Sequence, residues 1–91
     1  MKTESGFRLR KLLGEYVLLA EDIAHVNFNR MITLNESAAS LWTAFEGKEF
    51  TVQDMADELV RIYGDSVTPE QALEDSGKLA RKWIEIGVVS E

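Results

Sequence analysis

The spacing of apolar residues changes once along this chain, at Asn35, and that change limits the fold more than any other feature. Before Asn35 the apolar positions repeat every second residue, as on a strand with one buried face. Phe7, Leu9 and Leu13 fall on one side of segment 7–13, with Arg8, Arg10 and Leu12 on the other. Tyr16 to Ala20 is a short apolar run rich in strand formers. Val26, Phe28, Ile32 and Leu34 alternate with Asn27, Asn29, Met31 and Thr33, and Arg30 interrupts the apolar side, where its stem can lie on the sheet while the head reaches water. Gly14-Glu15 fits a two-residue type II′ turn, with Gly supplying positive φ at the first central position. The first third therefore predicts three antiparallel strands.

After Asn35 the repeat becomes three and four, the period of a helix face. Asn35 reads as an N-cap, Ala38, Leu41, Trp42 and Phe45 as one buried stripe, and Gly47 as the stop. Thr51 and Asp54 have the spacing of a capping box, with Phe50 and Met55 as a hydrophobic staple. That second helix buries Val52, Met55, Ala56, Leu59 and Ile62 or Tyr63, and stops at Gly64. Thr68-Pro69-Glu70-Gln71 opens a third, with a cap, a proline at the first helical position and a Gln three residues on. Its stripe is Ala72, Ser76, Leu79, Ala80, Trp83 and Ile86, ending at Gly87, and Val88-Val89 suits a short last strand. Gly77 costs this helix about 1 kcal/mol relative to Ala, which predicts close packing at that point. The expected class is α+β, winged-helix-like, with three N-terminal antiparallel strands followed by a three-helix bundle. Residues 1–6 are expected to form a flexible N-terminus and residues 7–89 one domain.

The chemistry open to such a chain is narrow. Its 91 residues include no Cys and one His, so thiolate zinc sites, iron–sulfur ligation and Cys nucleophiles are excluded. His25 has no companion ligands in sequence. Ser37 and Ser40 form no nucleophile motif, and no glycine cluster resembles a phosphate loop. Asp54, Asp57 and Glu58 crowd the start of the second helix, where acidic side chains complement the helix dipole. No metal, cofactor or catalytic residue is expected. The N-terminus lacks an apolar signal region, and no apolar run approaches the ~20 residues of a membrane span, so a soluble, cytoplasmic protein without membrane contact is expected.

Sixteen acidic against ten basic residues give a net charge of −6, which repels nucleic acid. The second and third helices have helix-turn-helix spacing, and a winged-helix DNA-binding regulator is the alternative reading. Segment 68–86 nevertheless holds Glu70, Glu74, Asp75 and Glu85 against Lys78, Arg81 and Lys82, whereas a phosphate-binding face should be basic. An extended peptide is the better ligand. Strand 26–34 lies at a sheet edge, whose N–H and C=O groups can pair with an added strand. Lys78, Arg81 and Lys82 beside Leu79 suit acidic and apolar peptide residues, although each could equally be an ordinary solvated side chain. An edge of this kind can also pair with a second copy, giving a homodimer.

Leu34-Asn35-Glu36-Ser37-Ala38-Ala39, followed by Leu41-Trp42, resembles the L-N-E-T/S-A-A-x-x-W signature of the PqqD-like family. Thr51-Val52-Gln53-Asp54-Met55-Ala56, Tyr63-Gly64 and Gly87-Val88-Val89 extend the similarity over about residues 7–89. The resemblance implies a non-catalytic chaperone that binds the leader of a ribosomally made precursor peptide. It further implies that the leader adds as a strand beside the third strand, against the third helix, for delivery to a maturase, often a radical S-adenosylmethionine (radical SAM) enzyme. The family name refers to pyrroloquinoline quinone synthesis, and related pathways use similar modules. Carried onto this chain, the peptide-binding residues are Asn27, Phe28, Asn29, Arg30, Met31, Ile32 and Thr33 on the strand, with Asp75, Lys78, Leu79, Arg81 and Lys82 on the helix. The three cations come from charge and position rather than from the motif. Ser76 and Gly77 stand where the family more often has larger apolar side chains.

Overall fold

In the computed structural model, which describes residues 1–20 and 32–91, five strands and three helices follow the order β1 (Lys2–Thr3), β2 (Phe7–Leu12), β3 (Glu15–Ala20), β4 (Ile32–Leu34), α1 (Glu36–Phe45), α2 (Val52–Tyr63), α3 (Pro69–Ile86) and β5 (Val89–Ser90). The class is α+β, with the antiparallel sheet β2-β3-β4 ahead of the helices. The expected strand residues Val26 to Met31, with the candidate site residues Asn27, Phe28, Asn29, Arg30 and Met31, and His25, lie outside the described residues.

The hairpin corrects the expected turn. β2 and β3 pair in the register Leu12↔Glu15 and Lys11↔Tyr16, so the two linking residues are Leu13 and Gly14 rather than Gly14 and Glu15. Both have positive φ, 52° and 82°, the pattern of a type I′ turn, whose twist suits the flanking strands. Leu13 therefore leaves the face it was assigned with Phe7 and Leu9 and projects into solvent. Phe7 is buried and Leu9, which pairs with Leu18, packs on the core.

Each helix start is fixed by a local side-chain bond, as the sequence predicts. Asn35 Oδ1 accepts from the Ala38 N–H at 2.8 Å. At α2 the capping box is complete: Thr51 Oγ1 accepts from the Asp54 N–H at 3.0 Å, and Asp54 Oδ2 accepts from the Thr51 N–H at 2.9 Å. Thr68 Oγ1 accepts from the Gln71 N–H at 3.1 Å. These bonds satisfy helix-end donors that would otherwise need water. Gly87, at φ 88°, closes α3 in the left-handed conformation, where a Cβ would be strained.

One core joins the sheet to the helices. Leu18 and Leu34 from the sheet meet Leu41 and Trp42 of α1, Met55 and Leu59 of α2, and Ala72, Ala80 and Trp83 of α3. Trp42 and Trp83 are each 1% exposed and meet edge to face, with centroids 5.5 Å apart and planes at 89°. Such a pair adds a directional term to the burial of two large rings. The Trp42 indole N–H donates to Glu46 Oε2 at 3.1 Å, whereas the Trp83 indole N–H and the Ser76 hydroxyl are buried without a hydrogen-bond partner among the described residues.

Residues 1–6, expected as a flexible N-terminus, make ordered contacts. β1 pairs antiparallel with β5, Lys2 with Ser90 and Thr3 with Val89, in a second, two-stranded sheet that the sequence did not predict. Thr3 Oγ1 accepts from the Gly47 N–H at 2.9 Å, and the Glu4 N–H donates to Val88 O at 2.9 Å. These bonds tie the ends of α1 and α3 together on the side of the bundle where both helices terminate.

Candidate functional site

β4 pairs with β3 through Leu18↔Ile32, Val17↔Thr33 and Tyr16↔Leu34, and among the described residues no strand pairs with its other edge. Beside β4 runs the face of α3 that carries Leu79, Lys82, Trp83 and Ile86. A hollow of about 130 Å³ lies between Ile32–Asn35 and these side chains. It leads into a larger groove of about 550 Å³ between the start of α1, the end of α2 and the middle of α3. Asn35, Ala38, Leu79 and Lys82 line both, so the two form one continuous channel.

The channel has an apolar floor and a polar rim, the composition of a site that takes a side chain and orients it. Ala38, Leu41, Leu59 and Leu79 make the floor, and Asp75, Lys78 and Lys82 stand on the α3 rim. Helical spacing explains the set: 75, 78, 79, 82, 83 and 86 recur at three and four and share one face. Two rim groups already have partners on their own helix. Lys78 Nζ is 3.2 Å from Glu74 Oε1, and Asp75 Oδ1 accepts from Gln71 Nε2 at 2.9 Å. At the opposite wall the Ser37 hydroxyl donates to Asn35 Oδ1 at 3.0 Å, so the α1 cap is itself part of the site.

Of the helix residues singled out from the sequence, Asp75, Lys78, Leu79 and Lys82 meet at this channel. Arg81 does not line it. It borders an adjoining hollow with Glu85, which shares Lys78 and Lys82 with the groove, because one residue back from Lys82 is a rotation of about 100°. Ile32 and Thr33 line the strand side of the small hollow. Sequence reasoning missed Asn35 and Ser37 as wall residues, and also Tyr63 and Val67 at the far end. Tyr63 and Val67 flank the short turn between α2 and α3, a place that only the crossing of those helices turns into a wall.

The groups that could carry catalysis remain scarce. Among the described residues no group of three or more His, Asp or Glu side chains could hold a metal ion, and no helix is long and apolar enough to cross a membrane. Glu58, one of the three acidic residues at α2, is engaged by Arg61, whose Nε and Nη2 donate to its carboxylate at 2.8 and 2.7 Å, away from the channel.

A family model described as coenzyme PQQ synthesis protein D (PqqD) matches residues 15–89, from the start of β3 to the start of β5. The chain belongs to the PqqD family. The match spans every element that builds the channel, and PqqD membership supports a peptide-binding chaperone role in pyrroloquinoline quinone or related peptide-modification pathways. No curated protein and no solved structure matches the chain.

Proposed function

We propose that this chain is a non-catalytic chaperone that holds the leader of a ribosomally made precursor peptide and presents it to a maturase. The leader adds as a strand to the outer edge of β4 and lies against α3. Strand addition supplies main-chain hydrogen bonds that any sequence can make, so specificity falls to the pockets that take alternate side chains. Leu79 and the floor of the channel receive an apolar side chain. Lys78 and Lys82 face acidic residues of the leader, and Asp75 sets its direction by repelling them at one end. The maturase is of the radical SAM type, and the chain acts in the cytoplasm as a single domain over residues 7–89 with no cofactor of its own.

The observation that carries this reading is the junction at Leu79 and Lys82, where the hollow beside β4 opens into the groove between the helices. A peptide strand on β4 has its side chains delivered to that point. Calorimetric titration with the short peptide encoded beside this chain tests it. Micromolar or tighter binding to the unaltered chain should fall at least tenfold in Leu79→Asp, which buries a carboxylate against the apolar floor. Binding unaffected by that change would remove the channel from the account.

A further inference from the structure

The groove between the helices is larger than a strand on β4 can use. At about 550 Å³ it has the size that holds a drug-sized ligand rather than one side chain. The strand edge also stops at Leu34, because Asn35 caps α1 and the backbone from Glu36 onward is helical. A peptide that continues past the Leu34 end of β4 therefore meets no strand N–H or C=O groups to pair with. It meets the groove.

The lining residues give the groove two ends. The near end shares Asn35, Ala38, Leu79 and Lys82 with the hollow beside β4, and the far end is closed by Tyr63 and Val67, which flank the turn leading into α3. From Asn35 to Leu41 along α1, or from Lys82 back to Asp75 along α3, is about 10 Å at ~1.5 Å per residue. A chain leaving the strand covers that with about three more residues at ~3.3 Å each. The far end suits an apolar group. Leu41 and Leu59 are buried beneath it, while Tyr63 and Val67 pack only in part on the core and leave a face to the groove. Of the rim charges, Asp75 lies towards this end and Lys82 towards the strand, so an acidic residue belongs on the paired segment and not beyond it.

The sheet supplies the direction. Both pairings in β2-β3-β4 are antiparallel, and a strand added to β4 in the same sense runs opposite to it. The peptide residue opposite Leu34 then precedes the one opposite Ile32, and the segment over the groove is N-terminal to the paired one. We infer that the Tyr63–Val67 end of the groove takes a large apolar side chain of the precursor peptide, about three residues N-terminal to the residue opposite Leu34. The peptide is held at two points, a sequence-tolerant strand and a side-chain anchor ahead of it. This rests on the strand addition proposed above and goes beyond it by giving Tyr63 and Val67 a ligand from outside the paired segment.

Two synthetic forms of the precursor peptide encoded beside this chain separate the anchor from the strand. One is the whole leader, and the other begins at the residue opposite Leu34, located from cross-strand amide contacts. Calorimetry should show the whole leader binding at least tenfold tighter, the worth of one large apolar side chain taken out of water. That gap should shrink below twofold in Val67→Asp, which sets a carboxylate against the anchor. In the unaltered chain, the Val67 methyl protons should show NMR contacts with an apolar side chain upstream of the paired segment, a result independent of how the variant folds. Equal affinity for the two peptides overturns the inference, and so does a gap that persists in Val67→Asp. Affinity lost instead by trimming the C-terminal side of the paired segment overturns it too, as do Val67 methyl contacts that arise without peptide, from a second copy of the chain. In these cases protection of the Ile32 to Leu34 amides by the short peptide leaves strand addition standing. Protection by neither peptide removes strand addition, and the anchor with it.

Discussion

Replacing Gly77 by alanine isolates one backbone term in α3. Gly77 lies in the middle of the 18-residue helix Pro69–Ile86, where glycine is about 1 kcal/mol worse than alanine because it has more freedom to lose on folding. The sequence suggests that close packing compels it. The structure provides a neighbour, α2, but at ordinary distance: an added Cβ would meet Arg81 Nη1 at 3.9 Å and Val52 Cγ1 at 4.0 Å. Both contacts are with side chains, and neither requires movement. The helix term therefore stands without offset, and Gly77→Ala should stabilise the fold by about 1 kcal/mol, or roughly 4–8 °C in Tm for a domain of this size. Thermal melts followed by far-UV circular dichroism measure the shift, and urea titrations should show a higher midpoint at the same slope. Gly77 does not line the channel, so peptide affinity should stay constant. A lower Tm would refute the packing argument. A higher Tm with weakened peptide binding would show instead that the glycine makes room for the ligand.

Ser76→Ala should also stabilise the fold, by roughly 1 kcal/mol, because Ser76 is 0% exposed with an unpartnered hydroxyl and alanine is the better helix former; chemical denaturation reads the gain. Thr51→Ala removes the acceptor for the Asp54 N–H and should cost about 1 kcal/mol, seen as a lower urea midpoint. Lys82→Glu reverses a charge at the junction of the hollow and the groove and should weaken an acidic leader roughly two- to tenfold, with a flatter dependence on salt in calorimetry. The Arg61 guanidinium, by hydrogen bonding, holds the Glu58 carboxyl below its ordinary value of 4.5. A depressed carboxylate stabilises the fold above the unfolded value, and that contribution disappears as pH falls through the folded one. Arg61→Gln should move the Glu58 titration, followed by carboxyl carbon shifts, back towards 4.5 and remove this part of the acid sensitivity.

The helices were legible because their signals are local. Asn35, Thr51 and Thr68 cap through side-chain bonds that span three residues, and such spacings can be read without knowing the fold. The hairpin was legible except for its turn. Gly14-Glu15 fits the Gly-X pattern of a type II′ turn, whereas the structure centres the turn one residue earlier and places a leucine at positive φ. The last strand was legible in Val88-Val89, but its partner β1 was not, since two residues carry no periodicity and the pairing is set by where α1 and α3 end. At the site, Asp75, Lys78, Leu79 and Lys82, named from the resemblance and from charge and position, all line the groove between the helices. Arg81, taken with Lys78 and Lys82 for its charge, borders the adjoining hollow instead. Tyr63 and Val67 needed the α2–α3 crossing, which no local pattern encodes.

The central claim is that a peptide extends the sheet at β4, and amide hydrogen exchange read by NMR tests it most directly. With the precursor peptide encoded beside the chain at saturation, the amides of Ile32 to Leu34 should gain protection, and cross-strand amide contacts should link them to the peptide backbone. Chemical shift changes should be confined to β4 and the walls of the channel, leaving β1 and β5 unchanged. Tight binding with exchange at Ile32 to Leu34 unaltered, or with changes centred away from β4 and α3, would contradict strand addition.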